Sequence, residues 1–288
     1  MNPIEPFETH RPLMFAIAYR MLGSAMEAED VVQETYLRYQ TVPLATIRSH
    51  QAFLSTVVTR LCINQLQSAR AQRETYIGPW LPEPVLTGDD PLLSPSGQTS
   101  LHESLSLAFL VLLEQLTPVE RAVFLLREVF DYEYAEIAEI IEKEESACRQ
   151  LFSRAKKHIA AHRPRFKPTR AEHRQLLDQF MRATSEGELG GLMQLLSDDV
   201  MMWADGGGKA RGAATRVLHG REAVARFVLA STRLPTDSYH AELADVNGEP
   251  AAILRAGGKA IVVLFIAVAQ GQVREIRAIG NPDKLSRL

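Results

Sequence analysis

Arg149, Gln150, Ser153 and Lys157 fall on one side of a predicted helix that opens near Glu145, and all four can hydrogen-bond to base edges or phosphates. A guanidinium can donate two parallel bonds to guanine and a carboxamide can pair two-sidedly with adenine, each good pair contributing ~1–3 kcal/mol of discrimination. Ala147, Cys148, Leu151, Phe152, Ala155 and Ile159 recur at helical spacing on the other side, the stripe a helix buries when its polar face points outward. From 146 to 167 the chain carries Arg149, Arg154, Lys156, Lys157, Arg163, Arg165 and Lys167 and no acidic residue, whereas Asp131, Glu133, Glu136, Glu139 and Glu142 crowd the stretch before it. Charge alone leaves a solvated basic helix as open as a DNA contact.

The preceding elements decide between these readings. Thr117-Pro118-Val119-Glu120 combines a capping threonine, a proline at the first helical position and a glutamate three residues after the cap, so a helix must begin there. It is predicted to run to about 129, with a second helix over 134–141 and a polar break around Lys143 before the basic helix. Short helix, tight turn and further helix is the organisation that seats a recognition helix in the major groove. His158 and His162 share a face at ligand spacing, but no neighbouring carboxylate completes a metal site.

The whole chain bounds what such a module can do. Its 288 residues are 46% apolar and carry a formal net charge of −3, so bulk electrostatics cannot be the source of DNA affinity. Contact must be local or assisted by a partner. There is no apolar run of membrane-spanning length and no signal-peptide pattern, and the sequence reads as a cytoplasmic protein with no membrane partner. Cys62 and Cys148 are far apart and lack metal-ligand spacing, which makes them candidate core residues.

Two proline-bearing stretches, 78–97 and 163–169, divide the chain. Residues 1–77 and 101–163 read as helical, joined by a linker over 78–100; a second linker at 164–169 leads to a segment over 170–288 of mixed character. That last segment has helical periodicity over 175–196, strand signals at 200–203, 215–218, 251–254, 261–268 and 273–279, a helix over 221–231, and turn chemistry at Asn247-Gly248 and Gly271.

In the first segment Ser24-Ala25-Met26-Glu27 predicts a capped helix through about Tyr39, with Ala28, Val32, Thr35 and Tyr39 on one face and Glu27, Asp30, Gln33 and Glu34 on another. On spacing alone the acidic face is a solvated one. The run Ala18 to Gly23 followed by Glu27 to Arg38, however, resembles region 2 of extracytoplasmic-function sigma factors, and Leu116 to Arg121 with the helix from Cys148 to Lys157 resembles their region 4, in the family's order. The resemblance implies that Asp30, Gln33 and Glu34 bind the β′ clamp helices of core RNA polymerase and that the polymerase β flap is a further partner. It implies that the 41–49 loop and the helix carrying Arg60, Asn64 and Arg70 open and read a promoter −10 element, and that Arg149, Gln150, Ser153, Arg154 and Lys157 sit on the −35 element. Arg60, Arg70 and Arg73 on one helix suit phosphate tracking, and a factor delivered to DNA by a large enzyme does not need strong affinity of its own.

The last segment resembles SnoaL-like domains, so the expected fold class is multidomain: two all-α sigma domains, one a helical bundle and one a helix-turn-helix, followed by an α+β cone. Trp80-Leu81-Pro82-Glu83-Pro84, Asp205-Gly206-Gly207-Gly208-Lys209 and Asn281-Pro282-Asp283-Lys284-Leu285 are similar to motifs of the sigma subgroup that carries such a fused domain. The resemblance implies a built-in regulator in place of an obligate separate anti-sigma protein. The three motifs are then expected to make contacts that orient the two sigma domains. Read as residues alone, the glycine run is equally a turn after a strand; it is a poor phosphate loop, since Trp203 stands where the leading glycine belongs. The proline motif is equally a stiff linker, although a tryptophan favours docking. Asp199, Asp205, His219, Tyr239 and His240 form no recognisable catalytic dyad by spacing, so neither catalysis nor a cofactor is expected; a cone that binds a small molecule or does isomerase-type chemistry is carried as the alternative.

Overall fold

The computed structural model describes residues 4–73, 76–87, 104–162, 169–231 and 239–288, with side chains except at 69–73 and 162. Arg70, Arg73 and His162 therefore lie outside the described side chains, and Arg163, Arg165, Lys167 and the stretch 88–103 outside the described residues. The chain forms two compact units, Met1–Glu74 with Asp89–Arg163 and Thr75–Gly88 with Pro164–Leu288. No helix among the described residues is long and apolar enough to cross a membrane.

In the first unit α1 (Ile4–Leu22), α2 (Ala25–Gln40) and α3 (His50–Arg73) pack as a bundle. Gly23 takes a positive φ of 70° between α1 and α2, and the Ser24 hydroxyl then accepts from the Glu27 amide and starts α2. Met14, Ile17, Met21 and Leu22 of α1, Ala28, Val32, Thr35 and Tyr39 of α2, and Leu54, Val58 and Cys62 of α3 are buried, as the apolar face of α2 predicts. Burial pushes the Cys62 thiol up, leaving it an inert core residue.

The second helical segment comprises α4 (Leu107–Leu113), α5 (Pro118–Glu128), α6 (Tyr134–Ile141) and α7 (Glu145–His162). Thr117 and Glu120 close the expected capping box on α5, and Glu133 and Glu136 form a second one on α6. Glu142 ends α6 in the left-handed conformation, φ 54°, which reverses the chain into α7 within three residues. Phe152 of α7 stacks on Phe124 of α5 at 6.1 Å, and Cys148, Ala155 and Ile159 are buried beside it.

The two helical segments share this unit through polar bonds that reach its core. Arg121 of α5 is buried, donates to the Met21 carbonyl at 2.5 Å and pairs with Glu114 at 2.7 Å. Arg20 of α1 donates to the Ser104 hydroxyl at 2.8 Å, and burial pushes its guanidinium down to about 9. Ser55 of α3 and Tyr132, in the loop before α6, share a buried 2.6 Å hydrogen bond.

The second unit is α+β. α8 (Arg170–Ser185) and α9 (Leu189–Leu195) lead into β1 (Leu196–Asp205); β2 (Leu218–His219), α10 (Arg221–Ser231), β3 (Tyr239–Val246), β4 (Glu249–Ala256), β5 (Lys259–Ala269) and β6 (Gln272–Ile279) follow. The sheet order is β2-β1-β6-β5-β4-β3, with β1 and β6 parallel and the other neighbours antiparallel. α8 packs on β4 and β5 and α10 on β1, around Leu177, Phe180, Val200, Val228, Leu264 and Ile276. This is the expected helices-on-sheet architecture.

Details differ from the sequence expectation. The periodicity over 175–196 resolves into two helices broken at Gly187, φ 72°. The strand expected at 215–218 shrinks to Leu218–His219. β3 had no sequence signal because, as an edge strand, only Val246 in it is fully buried, so it lacks the alternation of a core strand. Asn247 and Gly248 both take positive φ, 53° and 73°, as a tight β3–β4 hairpin requires.

Candidate functional site

Within the second unit the three sequence motifs come together around one carboxylate. Asp205, at the end of β1, is 0% exposed. Its Oδ1 accepts from the Tyr76 hydroxyl at 2.5 Å and its Oδ2 from the Leu81 amide at 2.8 Å. Lys284 pairs with Oδ2 at 2.7 Å and also donates to the Leu81 carbonyl at 2.5 Å. The same ammonium stands 4.3 Å from the Trp80 ring centroid and 5.2 Å from that of Tyr76, a cation–π enclosure that suits a charge withdrawn from water. Asn281 donates its side-chain amide to the Tyr76 oxygen at 2.9 Å, while the Gly280 and Asn281 backbone amides donate to the Asp205 carbonyl at 2.8 and 3.0 Å. Burial, followed by the hydrogen bond to Asp205, holds the Tyr76 phenol well above the ordinary tyrosine range.

The glycines of the middle motif have a steric reason. A Cβ on Gly207 would lie 2.4 Å from Asn281 Nδ2, and one on Gly208 2.8 Å from Ile77 Cδ1, and both residues have positive φ. Gly206 has a similar constraint against Ala213 at 2.5 Å. The turn is therefore a close-contact surface. Lys209 bonds Asp283, but both side chains are more than half exposed, so this pair contributes little. Leu81, Pro82, Glu83, Pro84 and Val85 are all buried. Beyond them the segment joins the sheet edge: Leu86 bridges Val246 of β3, Asn247 exchanges bonds with Val85 at 2.9 and 3.1 Å, and the Thr87 amide donates to Asp245 at 3.0 Å. Pro282 and Leu285 belong to the 3₁₀ turn Pro282–Lys284 and its cap. Residues 76–87 of the stretch between α3 and the second helical segment are thus docked on the α+β domain. Sequence reasoning missed Tyr76 and read Asn247 only as a turn residue; no local pattern marks their docking roles, since their partners are more than a hundred residues away.

In the first unit the expected recognition face is outward. Arg149, Gln150, Ser153, Arg154 and Lys157 are exposed along α7. Arg149 pairs with Glu145 at 2.8 Å and stacks 4.5 Å over Tyr134; Arg154 lies 4.0 Å from Glu120. Exposed pairs of this kind cost little to exchange for another anion. His158 bonds Gln115 at 2.9 Å.

On α2, Asp30 and Gln33 are exposed and Glu34 holds Arg38 at 2.9 Å. Met26 and Leu37 are 53% and 52% exposed, so Met26, Asp30, Gln33 and Leu37 form one stripe at helical spacing, a mixed apolar–polar surface of the kind that docks a partner helix. Asn64 of α3 is exposed. Arg60 instead donates to the Ile140 and Glu139 carbonyls at 2.8 and 2.9 Å and pairs with Glu142 at 2.7 Å, capping the C-terminus of α6 as a cation should.

Of the residues weighed for catalysis, Asp205 and Tyr239 line one cavity of the α+β domain, and the others lie apart. His219 and His240 lie on β2 and β3, opposite edges of the sheet, and Asp199 pairs with Arg274 at 2.6 Å.

Comparison with known proteins accounts for both units. A sigma-70 region 2 model matches residues 6–72 and a sigma-70 region 4 model residues 106–159. The chain is 37% identical to the ECF RNA polymerase sigma factor SigJ of Mycobacterium tuberculosis over 98% of its length and 93% of the relative's. It is 30% identical to the probable ECF RNA polymerase sigma factor SigI of that species, covering 98% and 94%. The crystal structure of Mycobacterium tuberculosis SigJ superposes with a TM-score of 0.74 at 34% identity, covering 99% of this chain and 98% of that one. Two sigma modules in the family's order, on a chain similar to SigJ from end to end, place this protein among the extracytoplasmic-function sigma factors, which direct RNA polymerase to specific promoters.

Proposed function

We propose that α2 docks on the β′ clamp helices of core polymerase through Asp30, Gln33 and Glu34, with Met26 and Leu37 as the apolar part of the contact, and that the second helical segment meets the β flap. The 41–49 loop and Asn64 act at the −10 element, joined by Arg60 once it leaves α6, and by Arg70. Arg149, Gln150, Ser153, Arg154 and Lys157 read the −35 element. The α+β domain regulates these acts by holding the linker between the two readers, through Asp205 and Lys284, so that linker path and stiffness are set by a domain of the same chain and no separate anti-sigma protein is needed.

The observation that carries the polymerase assignment is the Met26, Asp30, Gln33, Leu37 stripe. Its apolar members are about half exposed although the opposite face of α2 is buried. Run-off transcription with purified core polymerase tests the reading. The full chain should direct promoter-specific initiation, Leu37→Glu should abolish it while leaving thermal stability unchanged, and Lys284→Met should change its level with core binding intact. Initiation from Leu37→Glu equal to wild type refutes the α2 contact, and indifference to Lys284→Met refutes the regulatory one.

A further inference from the structure

The α+β domain encloses a cavity of about 410 Å³, within the range of sites that take small molecules. Phe180, Met181, Met202, Phe227, Leu254 and Leu264 give it an apolar interior. Arg211 lines it from the exposed 210–213 loop and has no hydrogen bond or ion pair among the described residues. Asp205 and Lys209 line it too, but Asp205 is neutralised by Lys284 and Lys209 pairs with Asp283, so the cation left for a ligand is the Arg211 guanidinium; apolar walls with that group at the rim suit an apolar body ending in a carboxylate, which arginine can hold with two parallel bonds.

The same cavity borders the linker dock. Met202, Ala204 and Asp205 of β1 line it, while Gly280, Pro282 and Leu285 line it from the turn after β6. The β1 end and the turn after β6, tied by the Gly280 and Asn281 bonds to Asp205, thus form a wall with the cavity on one side and Tyr76, Trp80 and Leu81 on the other. We propose that this cavity binds a fatty-acid-like carboxylate, with Arg211 on its head group, and that occupancy tightens the docking of the linker. The proposal rests on the linker-docking reading above. Filling the void immobilises the wall, and a ligand that prefers the docked state shifts the equilibrium by its difference in affinity for the two states.

Dodecanoate is the test ligand, used below its micelle concentration with the full chain. Because the protein has two tryptophans, a Trp203→Phe background leaves Trp80 as the reporter. Calorimetry should show saturable 1:1 binding of dodecanoate, Arg211→Ala should weaken it at least tenfold without affecting dodecanol, and Ala278→Phe, which fills the cavity, should abolish both. Amide exchange over 79–87 should slow by about 5- to 150-fold on binding, the usual range of coupling between sites, with a matching Trp80 emission change. Absence of saturable binding overturns the proposal, as does equal affinity of wild type and Arg211→Ala. Binding that leaves exchange over 79–87 unchanged overturns the coupling. Lys284→Met without ligand separates the two levels: if it does not speed exchange over 79–87, the docking reading itself fails, whatever dodecanoate does.

Discussion

At the scale of the residue, the Asp205–Lys284 pair is the most consequential. Lys284 is 9% exposed and Asp205 fully buried, and a buried ion pair is strongly unfavourable to break because the survivor keeps its charge without compensation. Lys284→Met should therefore cost ~3–5 kcal/mol of α+β-domain stability by urea denaturation, and adding Asp205→Asn should restore part of it. A second residue carries a pH dependence. Burial, with Arg170 nearby, holds the His173 imidazole below its ordinary value, against a backbone bond at Ile266 that raises it, and its buried Nε2 has no hydrogen-bond partner among the described residues. The fold favours the neutral ring, so below about 6.5 the unfolded chain binds the extra proton and stability falls with falling pH; above that the contribution is complete. Thermal melts should show this loss in wild type and a smaller one in His173→Gln. Lys284 was legible as part of a motif but its burial was not; His173 carried no signal, since burial depends on what β5 places over it.

At the scale of the element, α7 divides its labour by face. The inward stripe and the outward polar set were legible because helix periodicity separates them before any tertiary contact exists. In the proposed reading Arg149 pairs with a base and Lys157 with a phosphate. Arg149→Ala should lose about 1–3 kcal/mol of discrimination at one −35 position, whereas Lys157→Ala should weaken all sequences alike and lower the salt slope by about 1. Anisotropy titrations of the holoenzyme on single-base promoter variants at several salt concentrations measure both, and equal losses everywhere for both variants refute the assignment. The 76–87 segment shows the opposite case. Its prolines exclude helix and sheet interior, yet they do not say whether it floats or docks; the free edge of β3 and the buried Asp205 acceptor answer that.

At the scale of the molecule, both promoter readers belong to one compact unit, held by Ser55–Tyr132 and by Arg60 on the end of α6. The −10 and −35 elements stand about 25 base pairs apart, roughly 85 Å at 3.4 Å per step, farther than helices in mutual contact can reach. If Asn64 and α7 meet these two elements as proposed, the first unit is expected to open on promoter binding and to free Arg60 as it does. Dyes on cysteines placed at the exposed Gln67 and Gln150 should transfer energy efficiently in the free protein and lose that transfer with core polymerase and promoter; Cys62 and Cys148 are buried and will not compete for label. Unchanged transfer would show that the unit stays closed. Arg60→Ala should lower transfer in the free protein.

Spacing and local chemistry within a few residues were enough for most of the helices, for the Ser24 and Thr117 caps, for the outward basic face and for the family resemblance. It took the folded chain to show that Arg60 caps α6, that Tyr76 and Lys284 meet on Asp205, and that residues 76–87 belong to the α+β domain. Those contacts join groups 79 to 129 residues apart, and what brings them together is burial of a shared core, which no local pattern encodes.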